Sequence, residues 1–446
     1  MSPVVESSDR PKLRPVEAFP LETDGRKVIG LRDPAGFTDS VLLLPLPLLD
    51  IVSLFDGDHT ILDIQAAYVR RHGELLFRER VEEIIKMLDD HGFLDSPRFA
   101  EQRRQIEEEF RRSPSRPAIH AGKAYAGEAQ ALKDQIDAFF TPPDGPGPPG
   151  LASAPSLRAI IAPHVDFHRG GPVYAWAYRE VAEKCAADLF VIFGTCHAGM
   201  ADPFAVTLKD YDTPLGPALV DREFADAVAL RWGGDLLGSE LAHRGEHSIE
   251  FQAVFLRYLF GGRREFTIVP ILCSFLHETL PRGDDPEADP RIPRFFDALG
   301  ETVAGSGRTV CLVAGADLAH VGPRFGDAEP VTPALLRDVE SEDRAMLEAV
   351  AAGDARGFYD SVAKDADSRR ICGLSPIYTL LRCLGRATGR LLRYGQWPDP
   401  QGTVTFCSVA FTRPQAEASE ETRTRAEGAP GPQAWVPGLP PNQAGR

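Results

Sequence analysis

Residues 156–413 predict an α/β fold, a central and mainly parallel sheet flanked by helices, and residues 1–112 predict a small winged-helix-like domain. Three observations carry this reading. Five apolar runs, 158–162, 189–193, 266–272, 309–314 and 404–411, have the length and β-branched content of strands buried on both faces. Helical stretches alternate with them, at 172–184, 221–231, 248–260, 333–352 and 375–387. The first, second and fourth runs each pass directly into a polar cluster that contains a histidine.

The N-terminal elements follow from local signals. Lys27–Leu31 and Ser40–Leu44 read as short strands around a turn at Asp33-Pro34-Ala35-Gly36. Thr60-x-x-Asp63 is a capping-box-like start for a helix to Arg71. Val81, Ile84, Ile85 and Leu88 fall on one helical face, and Gly92 stops that helix. A highly charged helix, 97–112, comes next. Ser113–Pro117 reads as a linker into the 118–413 domain. After a helix at 128–140, the Pro/Gly-rich segment 141–150 predicts a disorder-prone loop. From 414 to 446 the scarcity of aliphatic residues predicts a disordered tail.

Composition excludes several function classes. Of 446 residues, 49 are Lys or Arg and 65 are Asp or Glu, a net charge of −16. Residues 1–112 alone carry 16 basic against 22 acidic side chains, a net of −6. Nucleic acid is therefore not an expected partner even of the winged-helix-like domain, because such binding needs a basic face. The longest apolar run, 41–55, is interrupted by Pro45, Pro47 and Asp50, so no membrane span is expected. The N-terminus, with Glu6 and Asp9, does not read as a secretory signal, and a cytoplasmic protein is expected. The seven cysteines are scattered without a C-x-x-C pair, against a disulfide framework. Seven of the eleven histidines, in contrast, lie between His164 and His320 and none follows, a reason to look for a metal.

Three clusters at strand ends supply the candidates: Pro163-His164-Val165-Asp166-Phe167-His168, Gly194-Thr195-Cys196-His197 and Gly315-Ala316-Asp317-Leu318-Ala319-His320. In open α/β sheets, ligands bind beyond the carboxyl ends of the strands. Two imidazoles and one anionic group suit non-heme Fe(II), whereas three imidazoles and water suit zinc. His164 and His197 lie closest to their strand ends and are the leading ligand candidates. In an extended loop His164, Asp166 and His168 face one way, so Asp166 either assists the metal or caps the following turn. Glu246-His247-Ser248-Ile249-Glu250 opens a helix. Its polar groups either satisfy free N–H groups there or reach into a site. Cys372, before a helix beginning near Ser375, reads alone either as an inert buried thiol or as a thiolate ligand or nucleophile. H-E-x-x-H, G-x-S-x-G and Walker A patterns are absent. The G-x-G-x-x-G match at 145–150 contains three prolines, which lack the N–H groups a phosphate needs.

These motifs resemble those of the Memo family, protein B of the AmmeMemoRadiSam set that also contains radical-SAM and AMMECR-like proteins. The resemblance runs over 116–413. It includes His120-Ala121-Gly122, Ala162-Pro163-His164, Gly194-Thr195-Cys196-His197, Tyr211-Asp212-Thr213-Pro214-Leu215, Glu246-His247-Ser248-Ile249-Glu250, Asp317-Leu318-Ala319-His320 and Ile371-Cys372-Gly373. The Memo fold is similar to that of class III extradiol (LigB-type) dioxygenases. The resemblance implies a metal held by His164, His197 and Cys372, with Fe(II) first and copper or zinc as alternatives. It also implies His320 as acid/base, with Asp317, Glu246 and His247 completing the catalytic set. Asp166, His168 and Glu250 are left as supporting or substrate-contacting groups. Cys372 stands where the dioxygenases have a carboxylate, which counts against extradiol ring cleavage. Where the family usually continues Pro-His-Ala-Gly-Tyr, this chain has Val165-Asp166-Phe167-His168.

The N-terminal segment is similar to the PqqD-like peptide-binding modules of radical-SAM systems, through Leu44-Pro45-Leu46-Pro47, Phe55–Ile64 and Asp90-His91-Gly92-Phe93-Leu94. Such modules bind a peptide as an added strand. The implied functions are a non-heme iron oxidoreductase acting on a small or peptide-borne substrate, a non-catalytic metal- or peptide-binding scaffold working with radical-SAM and AMMECR-like partners, or a metal-assisted hydrolase.

Overall fold

The computed structural model describes residues 9–413 apart from Asp24 and 152–154, so the tail expected over 414–446 lies outside the described residues. The chain divides into two units, Met1–Ser113 and Pro114–Arg446.

In the first unit, β1 (Glu17–Thr23), β2 (Arg26–Arg32) and β3 (Leu42–Pro45) form an antiparallel sheet in that order. The strand β1 was not expected from sequence. Its Pro20 cannot donate to a ladder, which an edge strand tolerates. Four helices follow: α1 (Leu46–Val52), α2 (Ile61–His72), α3 (Arg78–Asp90) and α4 (Pro97–Arg112). The Thr60 capping box forms in both directions: Thr60 Oγ1 accepts from the Asp63 amide at 3.2 Å and Asp63 accepts from the Thr60 amide at 2.9 Å. The α3 face carrying Val81, Ile84, Ile85 and Leu88 is buried with Ile61 and Ile64 in one apolar core. The unit is thus a small antiparallel sheet with helices packed around a single core.

In the second unit the first strand, β4 (Ser115–Arg116), lies within the segment read as a linker and pairs in parallel with β8 (Asp210–Tyr211). Arg116 is fully buried, so this stretch is fixed rather than free. The helix α5 (Ala129–Phe139) follows. The loop 141–150, expected to be disorder-prone, is an ordered turn. The Gly147 amide donates to the Phe140 carbonyl (2.8 Å), and Trp176 Nε1 donates to the Asp144 carbonyl (2.9 Å). These donors serve its backbone in place of water, so the proline content restricts the loop instead of freeing it.

The remaining strands are β5 (Leu157–Ala162), β6 (Leu189–Thr195), β7 (Phe204–Val206), β9 (Thr267–Cys273), β10 (Val310–Gly315), β11 (Asp317–Val321), β12 (Thr388–Trp397) and β13 (Thr403–Thr412). They form an eight-stranded sheet in the order β11-β13-β5-β10-β6-β9-β7, with β12 paired to β13. The central pairs β5·β10, β10·β6 and β6·β9 are parallel, and the outer pairs are antiparallel. Helices cover both faces: α6 (Phe167–Lys184), α7 (Arg222–Trp232), α8 (Glu250–Phe260), α9 (Leu276–Thr279), α10 (Arg291–Gly305), α11 (Pro333–Ala352), α12 (Ala355–Ala363) and α13 (Leu374–Cys383). Alternate strand residues feed two cores. Leu189, Val191 and Phe193 face the layer of α7, α10, α11, α12 and α13, while Phe190 and Ile192 face α5, α6 and α8. Phe255 on α8 is fully buried and stacks on Tyr174 and Tyr178 at 4.9 and 4.7 Å. Phe255→Ala should therefore destabilise this unit by about 4 kcal/mol, read as a lowered denaturant midpoint; a loss below about 1 kcal/mol would contradict this packing.

Two sequence expectations change at the sheet's carboxyl edge. The helix α6 begins at Phe167 instead of near 172, with Pro172 in its interior, so 164–168 is not an extended loop. The segment 317–321 is itself a strand, so His320 sits within β11 rather than in a loop past a strand end.

Candidate metal centre

Strand register brings the candidates together. Because β10 lies between β5 and β6, Gly315 pairs with Ala162 on one side and Gly194 on the other. His164, Asp317 and His197 each follow within three residues of that shared line, so they must emerge side by side. Glycine at two of these positions admits a third segment. A Cβ on Gly315 would lie 2.4 Å from the Ser248 carbonyl oxygen, and one on Gly194 would lie 2.5 Å from Ser248 Oγ. With no side chains there, the residues leading into α8 rest directly on the strand ends, and His247 comes with them.

The result is a group of three imidazoles, His164, His197 and His247, whose ligand atoms lie within 4.8 Å of one another. The ring centroids are 4.9 Å apart for His164 and His197, 5.2 Å for His164 and His247, and 4.7 Å for the nearly parallel His197 and His247. The group runs from buried His164 to exposed His197, so it is open to solvent on one side. His247, which the sequence reading placed in the catalytic set, is the third imidazole of the group.

Hydrogen bonds fix which nitrogen faces the group. His164 Nδ1 contacts the Gly315 carbonyl at 2.9 Å; a carbonyl only accepts, so Nδ1 carries the proton and Nε2 keeps its lone pair. Cys372 Sγ lies 3.1 Å from that Nε2, which places the thiol beside the His164 edge of the group. The Thr195 hydroxyl donates to the Cys372 carbonyl (2.9 Å), and the Gly373 amide donates to the Asp317 carbonyl (3.0 Å), tying the cysteine loop to β6 and β11. Burial pushes the His164 imidazole down to about 3, with His197 adding to the effect, so it is neutral near pH 7. Burial, followed by the Asp317 charge, pushes the Cys372 thiol well above its usual value.

Glu246 organises the other side. His197 Nδ1 sits 3.1 Å from both carboxylate oxygens, and His247 Nδ1 sits 3.3 Å from one of them. The same carboxylate accepts the backbone amides of His197 (2.8 Å), His247 (2.8 Å) and Ser248 (3.0 Å). Burial alone would raise its pKa, but His197, His247 and these donors hold it well below the ordinary carboxylate range. Burial drives His247 well below its usual value despite the Glu246 charge, so that ring too is neutral.

Asp317 accepts the His164 amide (2.9 Å), and its other oxygen is 3.7 Å from His164 Nε2. Burial raises it to about 6, with His320 opposing. His320 donates from Nδ1 to the Leu318 carbonyl (3.1 Å) and packs edge-on against Phe325. Burial, against the pull of Asp317, lowers His320 to about 4. Asp166 is the N-terminal flanking residue of α6 but makes no capping hydrogen bond, and His168 is exposed beside Trp397. The helix start at Phe167 turns these two side chains out of line with His164. Glu250 is fully buried and accepts from Arg116, from the Tyr125 hydroxyl and from the His120 amide (3.2 Å). His120, whose ring centroid lies 5.6 Å from that of His247, had no place in the candidate set. Its only trace in the sequence was the His120-Ala121-Gly122 motif.

Residues 116–409, which are 294 of the 446, match the family profile described as Memo-like protein. A MEMO1 family protein of Aquifex aeolicus is 28% identical over 407 residues, covering 90% of this chain and all of that relative. Residues 114–446 make up 333 of the 446, so this match extends into the N-terminal unit. MEMO1 family proteins of Aeropyrum pernix (32% over 296 residues, 64% of this chain and 94% of the relative) and Caldivirga maquilingensis (31% over 308 residues, 66% and 98%) are similar over a shorter span. With the profile match covering about two thirds of its length, and His164, His197 and His247 all within that match, the chain belongs to the Memo family.

Proposed function

We propose that the chain is a metal-dependent oxidoreductase: a non-heme Fe(II) ion held by His164, His197 and His247, with Cys372 as a further donor, acts with O2 on a small or peptide-borne substrate. The observation that carries this is the convergence of three imidazoles within 4.8 Å at the carboxyl edge of a parallel sheet. The donor set fits a cation. His164 turns its Nε2 lone pair into the group, where the Cys372 thiol meets it, Glu246 fixes the other two rings from outside, and the thiol is a soft ligand suited to iron, copper or zinc. A bound ion would supply electrons to O2 and Lewis acidity toward a substrate oxygen.

The chain's own groups do the rest. Glu246 holds the imidazoles of His197 and His247 at their Nδ1 atoms. His320, neutral at pH 7 with Nδ1–H engaged by Leu318, offers Nε2 to take up a substrate proton. The N-terminal unit is read as the dock for the peptide or partner protein, along one of the two edge strands of its sheet, β1 with exposed Leu21 or β3 with exposed Leu43. Among the described residues no helix is long and apolar enough to cross a membrane.

Anaerobic loading with Fe(II), EPR with nitric oxide and O2-electrode measurements with candidate peptides test this reading. A nitrosyl signal and substrate-dependent O2 consumption are expected. A loaded protein that binds peptide without O2 consumption would replace this reading with the scaffold. Metal-dependent hydrolysis without O2 uptake would replace it with the hydrolase.

A further inference from the structure

We infer that the buried Arg116–Glu250 pair is a positioning device that sets where His247 stands in the histidine group. The inference rests on the reading of His247 as part of a metal-holding set. Both side chains are fully buried. The guanidinium does more than pair with Glu250. Its Nε donates to the His243 carbonyl at 3.0 Å and Nη2 to the Glu246 carbonyl at 2.6 Å, while Nη1 serves Glu250 and the Pro117 carbonyl. One planar fork therefore grips two carbonyls of the turn that ends at His247, and its counter-ion sits three residues further on, in the first turn of α8. The approach is reinforced from the same segment: His120 Nε2 donates to the Gly245 carbonyl (3.1 Å), between those two carbonyls.

Burying an ion pair is poor value for stability, because desolvating both charges offsets their attraction; a role in fixing geometry accounts for it better. A fork is also what the task requires. A lysine ammonium keeps the charge but cannot hold His243, Glu246 and Glu250 in one plane. Arg116 and Glu250 thus act on the site through the backbone of 243–247, and neither touches the ligand atoms.

The test uses the full chain with Co(II) alone as the probe. The double variant Arg116→Met/Glu250→Gln removes both charges together and leaves an acceptor for Tyr125 and His120. Co(II) affinity is expected to fall at least about 10-fold, with a changed d–d absorption spectrum. Leu347→Ala, which opens a cavity on α11, serves as a destabilised control and should change neither. If the double variant does not fold, Arg116→Lys is measured instead, with the same expected direction. A folded variant with wild-type affinity and spectrum would overturn the inference while leaving the metal reading intact. If the wild-type chain takes up no Co(II), the metal reading fails on its own. The His247 ring resonances of the metal-free protein, identified with His247→Gln, then decide the positioning claim: shifted in the variant and not in Leu347→Ala if it holds, unmoved in both if it does not.

Discussion

Substituting His247 with alanine is expected to weaken metal binding by at least about 100-fold, since even an outer partner of a ligand is worth 10–100-fold. His247 closes the group: its ring is 4.7 Å from that of His197 and 5.2 Å from that of His164, and it shares the Glu246 carboxylate with His197. Removing it leaves two imidazoles and one thiol around a site open to solvent. Competition against a chelator of known affinity measures the loss directly. If His247 serves only as an acid or base, its removal will spare affinity and stoichiometry and cut turnover alone. His168→Ala is the comparison, because His168 is exposed beside Trp397, and it should bind metal as the wild type does.

Cys372 yields the second large effect, through pH. Burial holds its thiol protonated well above the usual range, so binding a cation at sulfur must release one proton. His164, lowered to about 3, and His247, also lowered, are already neutral and release none. Asp317, at about 6, is already ionised above pH 7. Between pH 7 and 8.5 the thiol should therefore add about a tenfold rise in affinity per pH unit. In Cys372→Ser that contribution to the slope should be lost and the affinity at pH 8 should fall by at least about 10-fold. An unchanged slope in the serine variant would show that sulfur does not bind the ion, and would favour the plain three-imidazole set.

The buried strands were legible because apolar runs on a two-faced sheet have few alternative readings. The runs 158–162, 189–193, 266–272, 309–314 and 404–411 each fall on an observed strand. Several other elements were not. The strand β12 alternates charge and apolarity, with Arg390 and Arg393 pointing to solvent, and β11 is short and interrupted by polar residues. At the site, His164 and His197 could be read from their place just past strand ends. The motif put His247 in the catalytic set but not beside them as a third imidazole, since it lies at a helix start, where its neighbours satisfy backbone donors anyway. What brings it in is a pair of glycines, Gly194 and Gly315, whose missing side chains allow the close approach. The expected alignment of Asp166 and His168 with His164 fails for the opposite reason: period-two alternation applies to extended backbone, and the helix begins at Phe167. The fixed position of Ser115–Arg116 was hidden because an arginine between prolines and serines looks solvated until Glu250 is found opposite it.

Whether His164, His197 and His247 together hold a metal ion is tested most directly by the metal content of the 446-residue chain purified without air from iron-supplemented cells. The expected result is close to one ion per chain, iron first, and loss of that ion in a His164→Ala protein that still folds. Wild-type protein that carries no stoichiometric iron, copper or zinc, and takes up none on anaerobic addition, would contradict it.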